Sequence, residues 1–134
     1  MIEACGTRCR VPDATSFQRV ADGGIGSHVV LGPTMNAAAA KAAKLGGVEI
    51  EVSVNGKVAV EGSGFNVFED PINSLCFLAT EIGLYGHTIK KGDFVITGAT
   101  CILPPTDYEE GDQIVANFKG LGSVTMTTGG AAKL

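Results

Sequence analysis

A chain of 134 residues, 45% hydrophobic and 18% charged, is long enough for one domain with a core and too apolar to remain disordered. A formal net charge of -4, with its lysines scattered, argues against a nucleic-acid backbone as partner. The apolar runs are short and broken by glycine, so no membrane-spanning helix is expected, and Met1-Ile2-Glu3-Ala4 does not open a secretory signal.

Taken in order, residues 1–10 read as a short edge strand and residues 11–27 as loop, around Pro12, Asp13 and Asp22-Gly23-Gly24-Ile25-Gly26-Ser27. His28-Val29-Val30-Leu31 reads as a strand closed by Gly32-Pro33. Asn36 is positioned to cap a short alanine-rich helix over 37–45, ended by Gly46-Gly47 and weak unless packed. Val48, Ile50, Val52 and Val54 then alternate with polar residues, Asn55-Gly56 reverses the chain, and Val58 and Val60 resume the alternation. This is a hairpin, 48–54 with 57–61, with one face buried and the other wet.

Asp70 and Pro71 mark a helix start, and Ile72, Leu75, Cys76, Ala79 and Ile82 form an apolar stripe over 71–83. The helix is expected to cover the sheet. Phe94-Val95-Ile96, after Lys90-Lys91-Gly92-Asp93, reads as a strand buried on both faces. Two further turn–strand units follow, Gln113–Phe118 and Val124–Thr127, before a tail over 128–134 that is expected to fray. No fixed-period repeat or linker divides the chain, so residues 1–134 are read as a single domain.

Candidate chemistry is sparse. Cys5, Cys9, Cys76 and Cys101 form no close CxxC pair, and two sit in core-like contexts, which suits a reduced, cytoplasmic setting. Two cysteines four apart do not complete a zinc site. His28 and His87 have no visible serine or carboxylate partner and read as turn or core-edge residues. Gly23-Gly24-Ile25-Gly26-Ser27 lacks the lysine of a phosphate-binding loop. Glu49 and Glu51 have the E-x-E spacing of a hard-metal site, but alternation with solvent explains them equally well and is the preferred reading. Glu3, Arg8 and Asp22 lie beside apolar positions, where lining a polar pocket, salt bridging and plain exposure are all open readings.

The order of motifs resembles the C-terminal half of the 2-hydroxypentadienoate hydratase and 4-oxalocrotonate decarboxylase family, within the fumarylacetoacetate hydrolase superfamily. The resemblance rests on Gly62-Ser63-Gly64, Pro71-Ile72-Asn73-Ser74-Leu75 with Leu78-Ala79, and Ile89–Ala99. Gly111-Asp112 and Leu121-Gly122-Ser123-Val124 follow in order. Val20-Ala21-Asp22 looks like the family's V-A-D, and Ile2-Glu3 with Thr7-Arg8 like its E-x-x-D-S-R stretch.

The fold this implies is mainly β with short helices: a mixed β roll, here truncated. The resemblance also implies a divalent metal, Mg2+ or Mn2+, binding the 2-oxo acid end of a short dicarboxylate or dienoate. Glu3 matches a metal-binding glutamate. Arg8, Asp22 and Thr97 are the implied substrate-binding residues, with Arg8 holding a carboxylate and Thr97 lining the acid-binding end. Two departures stand out: Gly6 replaces an aspartate, and Gly23 replaces a common asparagine. The family's E-x-E metal pair and catalytic lysine lie upstream of the region covered, and Glu49-x-Glu51, on a later strand, does not replace them.

The expectation is a metal-dependent hydratase or decarboxylase of aromatic catabolism that is incomplete and inactive alone. The alternative is a non-catalytic oligomeric or small-molecule-binding β protein. Truncating a roll should leave open strand edges, so a homo-oligomer, most simply a dimer, is expected. No membrane or nucleic-acid partner is expected.

Overall fold

The computed structural model describes residues 1–6 and 13–129. Its elements are β1 (Ile2–Cys5), α1 (Ser16–Ala21), β2 (Gly26–Val30), α2 (Ala37–Ala42), β3 (Glu49–Val54), β4 (Lys57–Ser63), α3 (Pro71–Gly83), β5 (Gln113–Phe118) and β6 (Gly122–Thr127). Two 3₁₀ turns, Leu45–Gly47 and Gly64–Asn66, flank the β3–β4 hairpin.

The alternating run becomes β3, and Asn55 and Gly56 take φ values of 51° and 78°, the positive pair that a two-residue hairpin turn needs. β3 then pairs with β5 on its other side, giving the sheet order β4-β3-β5-β6. β1 and β2 form a separate two-stranded sheet that lies against β6. The mainly β architecture with short helices holds. Where a mixed roll was expected, every pairing among the described residues is antiparallel.

Val48, Ile50, Val52, Ile114 and Ala116 form the buried cluster, because the period of two turns these side chains to one sheet face. Leu45, Val60, Leu103, Tyr108 and Leu121 pack around it. On β4 the alternation breaks. Val60 stands opposite Val52 but Val58 stands opposite Ser53, so Ala59 is the extra residue of a bulge. The bulge turns Val58 to the wet face, where it is 48% exposed.

Four expectations are corrected. The 11–27 stretch is not all loop: α1 forms there on a capping box in which Thr15 Oγ1 accepts from Gln18 N and the Gln18 side chain accepts from Thr15 N. The helix α3 has the expected bounds but does not cover the sheet. It packs on the 3₁₀ turn Leu45–Gly47, half-buries Leu75, Leu78 and Ile82, and leaves Ile72 and Cys76 exposed.

Phe94-Val95-Ile96 is neither strand nor buried. No helix or strand occurs over 87–112, and Phe94 is 77% exposed. Its apolar, β-branched sequence suits a strand, but β3, the strand at the centre of the core, is already paired on both edges. Finally, Thr128 is tied rather than frayed: its N–H donates to the Asp112 carbonyl at 2.9 Å and its hydroxyl to the Glu109 carbonyl. The rest of the expected tail, from residue 130, lies outside the described residues, as do Cys9 and the end of the first predicted strand.

Candidate functional site

Glu3 lies in β1 opposite Val29 of β2, with an exposed side chain. Its Oε1 reaches over Gly26, where an added Cβ would sit 3.4 Å from it. Asp22 follows α1 as its C-cap, and its N–H closes the helix on the Gln18 carbonyl at 2.9 Å. At 8% exposure it is the buried charged residue of the described chain. The turn at Gly23 and Gly24, with φ values of 74° and 69°, carries the chain from Asp22 back into β2. Glu3 and Asp22 therefore belong to one small β1–α1–β2 unit.

Thr97 belongs to a different part of the molecule. Its carbonyl accepts a 2.5 Å hydrogen bond from Ser74 Oγ on α3, and the following Gly98 lies against Val67. β1 and β2 pack at the β6 edge of the large sheet, whereas α3 packs on the 3₁₀ turn before β3. The structure thus brings Glu3 and Asp22 into one unit and leaves Thr97 in another. Arg8 lies outside the described residues.

The acidic pair Glu49 and Glu51 takes the solvent reading. Glu49 Oε2 accepts from Lys119 Nζ at 2.7 Å across the sheet, and this contact holds the Glu49 carboxyl below its ordinary range and the Lys119 ammonium above it. Glu51 stands opposite Glu61, a like-charge pair on the wet face. No group of three or more histidine, cysteine or acidic side chains able to hold a metal ion occurs among the described residues. Two carboxylates fall short of the oxygen set that a hard divalent cation takes, so the residues described here do not by themselves fit one.

His28, read as having no serine partner, has one in the adjacent Ser27, whose Oγ lies 2.8 Å from Nδ1. Among the described residues no carboxylate joins them, and both are exposed. Cys76, read as part of the apolar stripe of α3, is exposed, whereas Leu75 and Leu78 are half-buried. An apolar cleft of about 150 Å³ opens between Met1, Pro33, Met35, Leu121 and Val124. It is smaller than the roughly 300 Å³ at which small-molecule pockets begin, and no side chain in it titrates.

Ser74 and Asp70 were not singled out for the contacts they make. The cap at Asp70 is legible in sequence, but its second oxygen, which accepts from Gly46 N at 3.0 Å, joins residues 24 apart and leaves no local signal.

The sequence profile of the fumarylacetoacetate (FAA) hydrolase C-terminal family matches residues 6–128, and the chain belongs to that family. It is 29% identical over 128 residues to a 2-keto-4-pentenoate hydratase of Burkholderia vietnamiensis, covering 94% of this chain and 47% of the relative. A 2-keto-4-pentenoate hydratase of Paraburkholderia phymatum is 28% identical, covering 92% and 45%. The 4-oxalocrotonate decarboxylase of Pseudomonas putida G7, complexed with magnesium and adipate, superposes with a TM-score of 0.80 at 27% identity, over 92% of this chain and 45% of that one. The same enzyme complexed with calcium and acetate gives a TM-score of 0.70 at 29% identity, over 81% and 40%. The chain spans about half the length of the curated relatives it matches.

Proposed function

We propose that this chain is the C-terminal part of a lyase acting on 2-oxo or 2-hydroxy dienoic acids, a hydratase or decarboxylase of the aromatic-catabolism type. On this reading it has no turnover until the upstream part of the fold joins it. The observation that carries the reading is one of shares: nearly all of this chain matches less than half of each relative. The placement of the candidate residues supports it. Glu3 and Asp22 lie in one unit, Thr97 in another, and no third metal-binding side chain joins them among the described residues.

In this reading the completed site receives Glu3 and Asp22 from the β1–α1–β2 unit and the acid-binding end from the segment around Thr97. Arg8 supplies paired N–H donors to a substrate carboxylate. The remaining metal-binding carboxylates and the proton-transferring side chain come from the upstream part. A Mg2+ or Mn2+ ion would then polarise the 2-oxo group.

The test is calorimetry with magnesium and oxalate, alongside an assay for hydration of 2-keto-4-pentenoate. The chain alone should give flat traces and no product. Mixed with the upstream part of the Pseudomonas putida decarboxylase, it should show saturable metal-dependent heat that Glu3→Ala removes. Turnover by the chain alone would sink the proposal, as would a mixture whose heat is indifferent to Glu3→Ala.

A further inference from the structure

Asn55 is the one asparagine of the sequence that precedes a glycine. Such a pair carries a reaction that needs no enzyme. The Gly56 nitrogen, as it loses its proton, attacks the Asn55 side-chain carbonyl carbon and forms a C–N bond. The bond from that carbon to Nδ2 then breaks, ammonia leaves with the proton, and a five-membered succinimide remains. Solvent water opens the ring at either carbonyl and leaves aspartate or isoaspartate at position 55. An amide and water are exchanged for an acid and ammonia, with no change in oxidation state. Glycine favours the attack because no Cβ crowds its nitrogen. Asn55 and Gly56 are both exposed at the tip of the β3–β4 hairpin, and a Cβ on Gly56 would meet no described atom within 4 Å.

Against this reactivity the fold sets a restraint. The Asn55 amide is held at both of its polar atoms: Nδ2 donates to Asp112 Oδ1 at 2.8 Å, and Oδ1 accepts from Gln113 N at 2.9 Å. Asp112 is itself fixed, since its Oδ2 accepts from Glu109 N at 2.8 Å. Asn55 N donates in turn to the Gln113 carbonyl at 2.8 Å. Asn55 therefore adds a rung to the β3–β5 ladder, with its side-chain oxygen in the role that a main-chain carbonyl plays in a regular antiparallel pair. An amide bonded to residues 112 and 113 is held at the start of β5. To meet Gly56 N, the side-chain carbonyl must leave both partners.

The products cannot keep these contacts. A carboxylate at position 55 has no proton to give Asp112 Oδ1. It would also stand at hydrogen-bond distance from a carboxyl that its own contacts hold below the ordinary range, and two like charges there repel. Isoaspartate further lengthens the main chain of a two-residue turn by a methylene. Either product removes a rung from the pairing that joins the β3–β4 hairpin to the β5–β6 hairpin.

We propose that Asn55-Gly56 is a latent modification site, a succinimide-forming junction that Asp112 and Gln113 hold closed and whose hydrolysis loosens the joint between the two hairpins.

The experiment incubates the full chain at mildly alkaline pH, folded and unfolded in urea, and follows the conversion of Asn55 by peptide mapping and mass spectrometry. In urea, Asn55 should convert before Asn36, Asn66, Asn73 and Asn117. In the folded chain its conversion should be slower by about tenfold or more, the factor that two hydrogen bonds holding a local closed state impose. Asp112→Ala should recover much of the unfolded rate, whereas Asp112→Asn, which keeps an acceptor for the Asn55 amide, should stay slow. Asn55→Asp, the direct product, should lower the Tm, and the swapped pair Asn55→Asp/Asp112→Asn should restore most of it.

Circular dichroism melts establish which variants fold. Where Asp112→Ala gives no cooperative melt, the swapped pair decides alone. Equal conversion in the folded and unfolded chain would overturn the proposal, as would a folded Asp112→Ala no faster than wild type. A swapped pair that melts no higher than Asn55→Asp, or an Asn55→Asp that melts like wild type, would do the same.

Discussion

Asp70 makes two bonds of different reach from one carboxylate. Oδ1 accepts from Ile72 N at 2.8 Å and caps α3, and Oδ2 accepts from Gly46 N at 3.0 Å and fixes the 3₁₀ turn beneath the helix. Asp70→Ala should therefore cost about 1–2 kcal/mol, a full cap, with Asp70→Asn recovering much of it, as read by thermal melts. Asp112 works similarly at the hairpin tip. The Asn55 side chain donates to it at 2.8 Å and the Glu109 N–H at 2.8 Å, which hold its carboxyl below the ordinary 3.8. A lowered folded value means a stabilising contribution fully present above pH 3.8 and lost as pH falls through the folded value. Asp112→Asn should flatten the acid limb of stability against pH below 3.8, and urea midpoints across that range measure it.

The strands show which sequence signals suffice and which do not. β3 and its turn were legible because alternation and Asn-Gly are local, and Asp70-Pro71 fixed the start of α3 for the same reason. α1 leaves a weaker signal: Thr15 and Gln18 carry a capping box, but the helix has six residues and buries none of them, so no apolar stripe accompanies the cap. The strand expected at 94–96 failed for a non-local reason: its residues suit a strand, but pairing needs a neighbour, and β3 is already flanked by β4 and β5. The candidate residues meet the same limit, since the motif order points to Glu3, Asp22 and Thr97 one at a time but carries no information on where they sit in space. Between strands, Glu51 and Glu61 face one another on the wet side. Glu61→Lys should stabilise the hairpin by about 0.2–1 kcal/mol, visible as a rise in Tm that added salt reduces. Gly64→Ala should do the opposite, because a Cβ there would overlap the Leu45 carbonyl oxygen and neither backbone can yield. Loss of a cooperative melt is the expected result.

At the scale of the whole molecule, the buried cluster draws on two stretches, Val48–Val52 and Ile114–Ala116, while many of the exposed large apolar side chains lie between them. The two ends of the molecule are therefore held unequally, and amide exchange should be slowest on β3 and β5 and fast over 84–102. The pairing that makes this core also sets the order in which it can form. β3 meets β4 across two residues, and β5 meets β6 across a similarly tight turn, so each hairpin can close within microseconds. β3 meets β5 only by bringing Val52 to Ala116, 64 positions away, and that closure carries its entropy cost before any core contact repays it. Docking of two preformed hairpins is then the slow step of folding, and halving the intervening chain should lower its closure cost by about 0.6 kcal/mol, nearly a threefold gain in refolding rate at most. Until that step is complete, the apolar faces of β3 and β5 wait in solvent beside two unpaired strand edges, which makes refolding yield, rather than final stability, the property most sensitive to protein concentration.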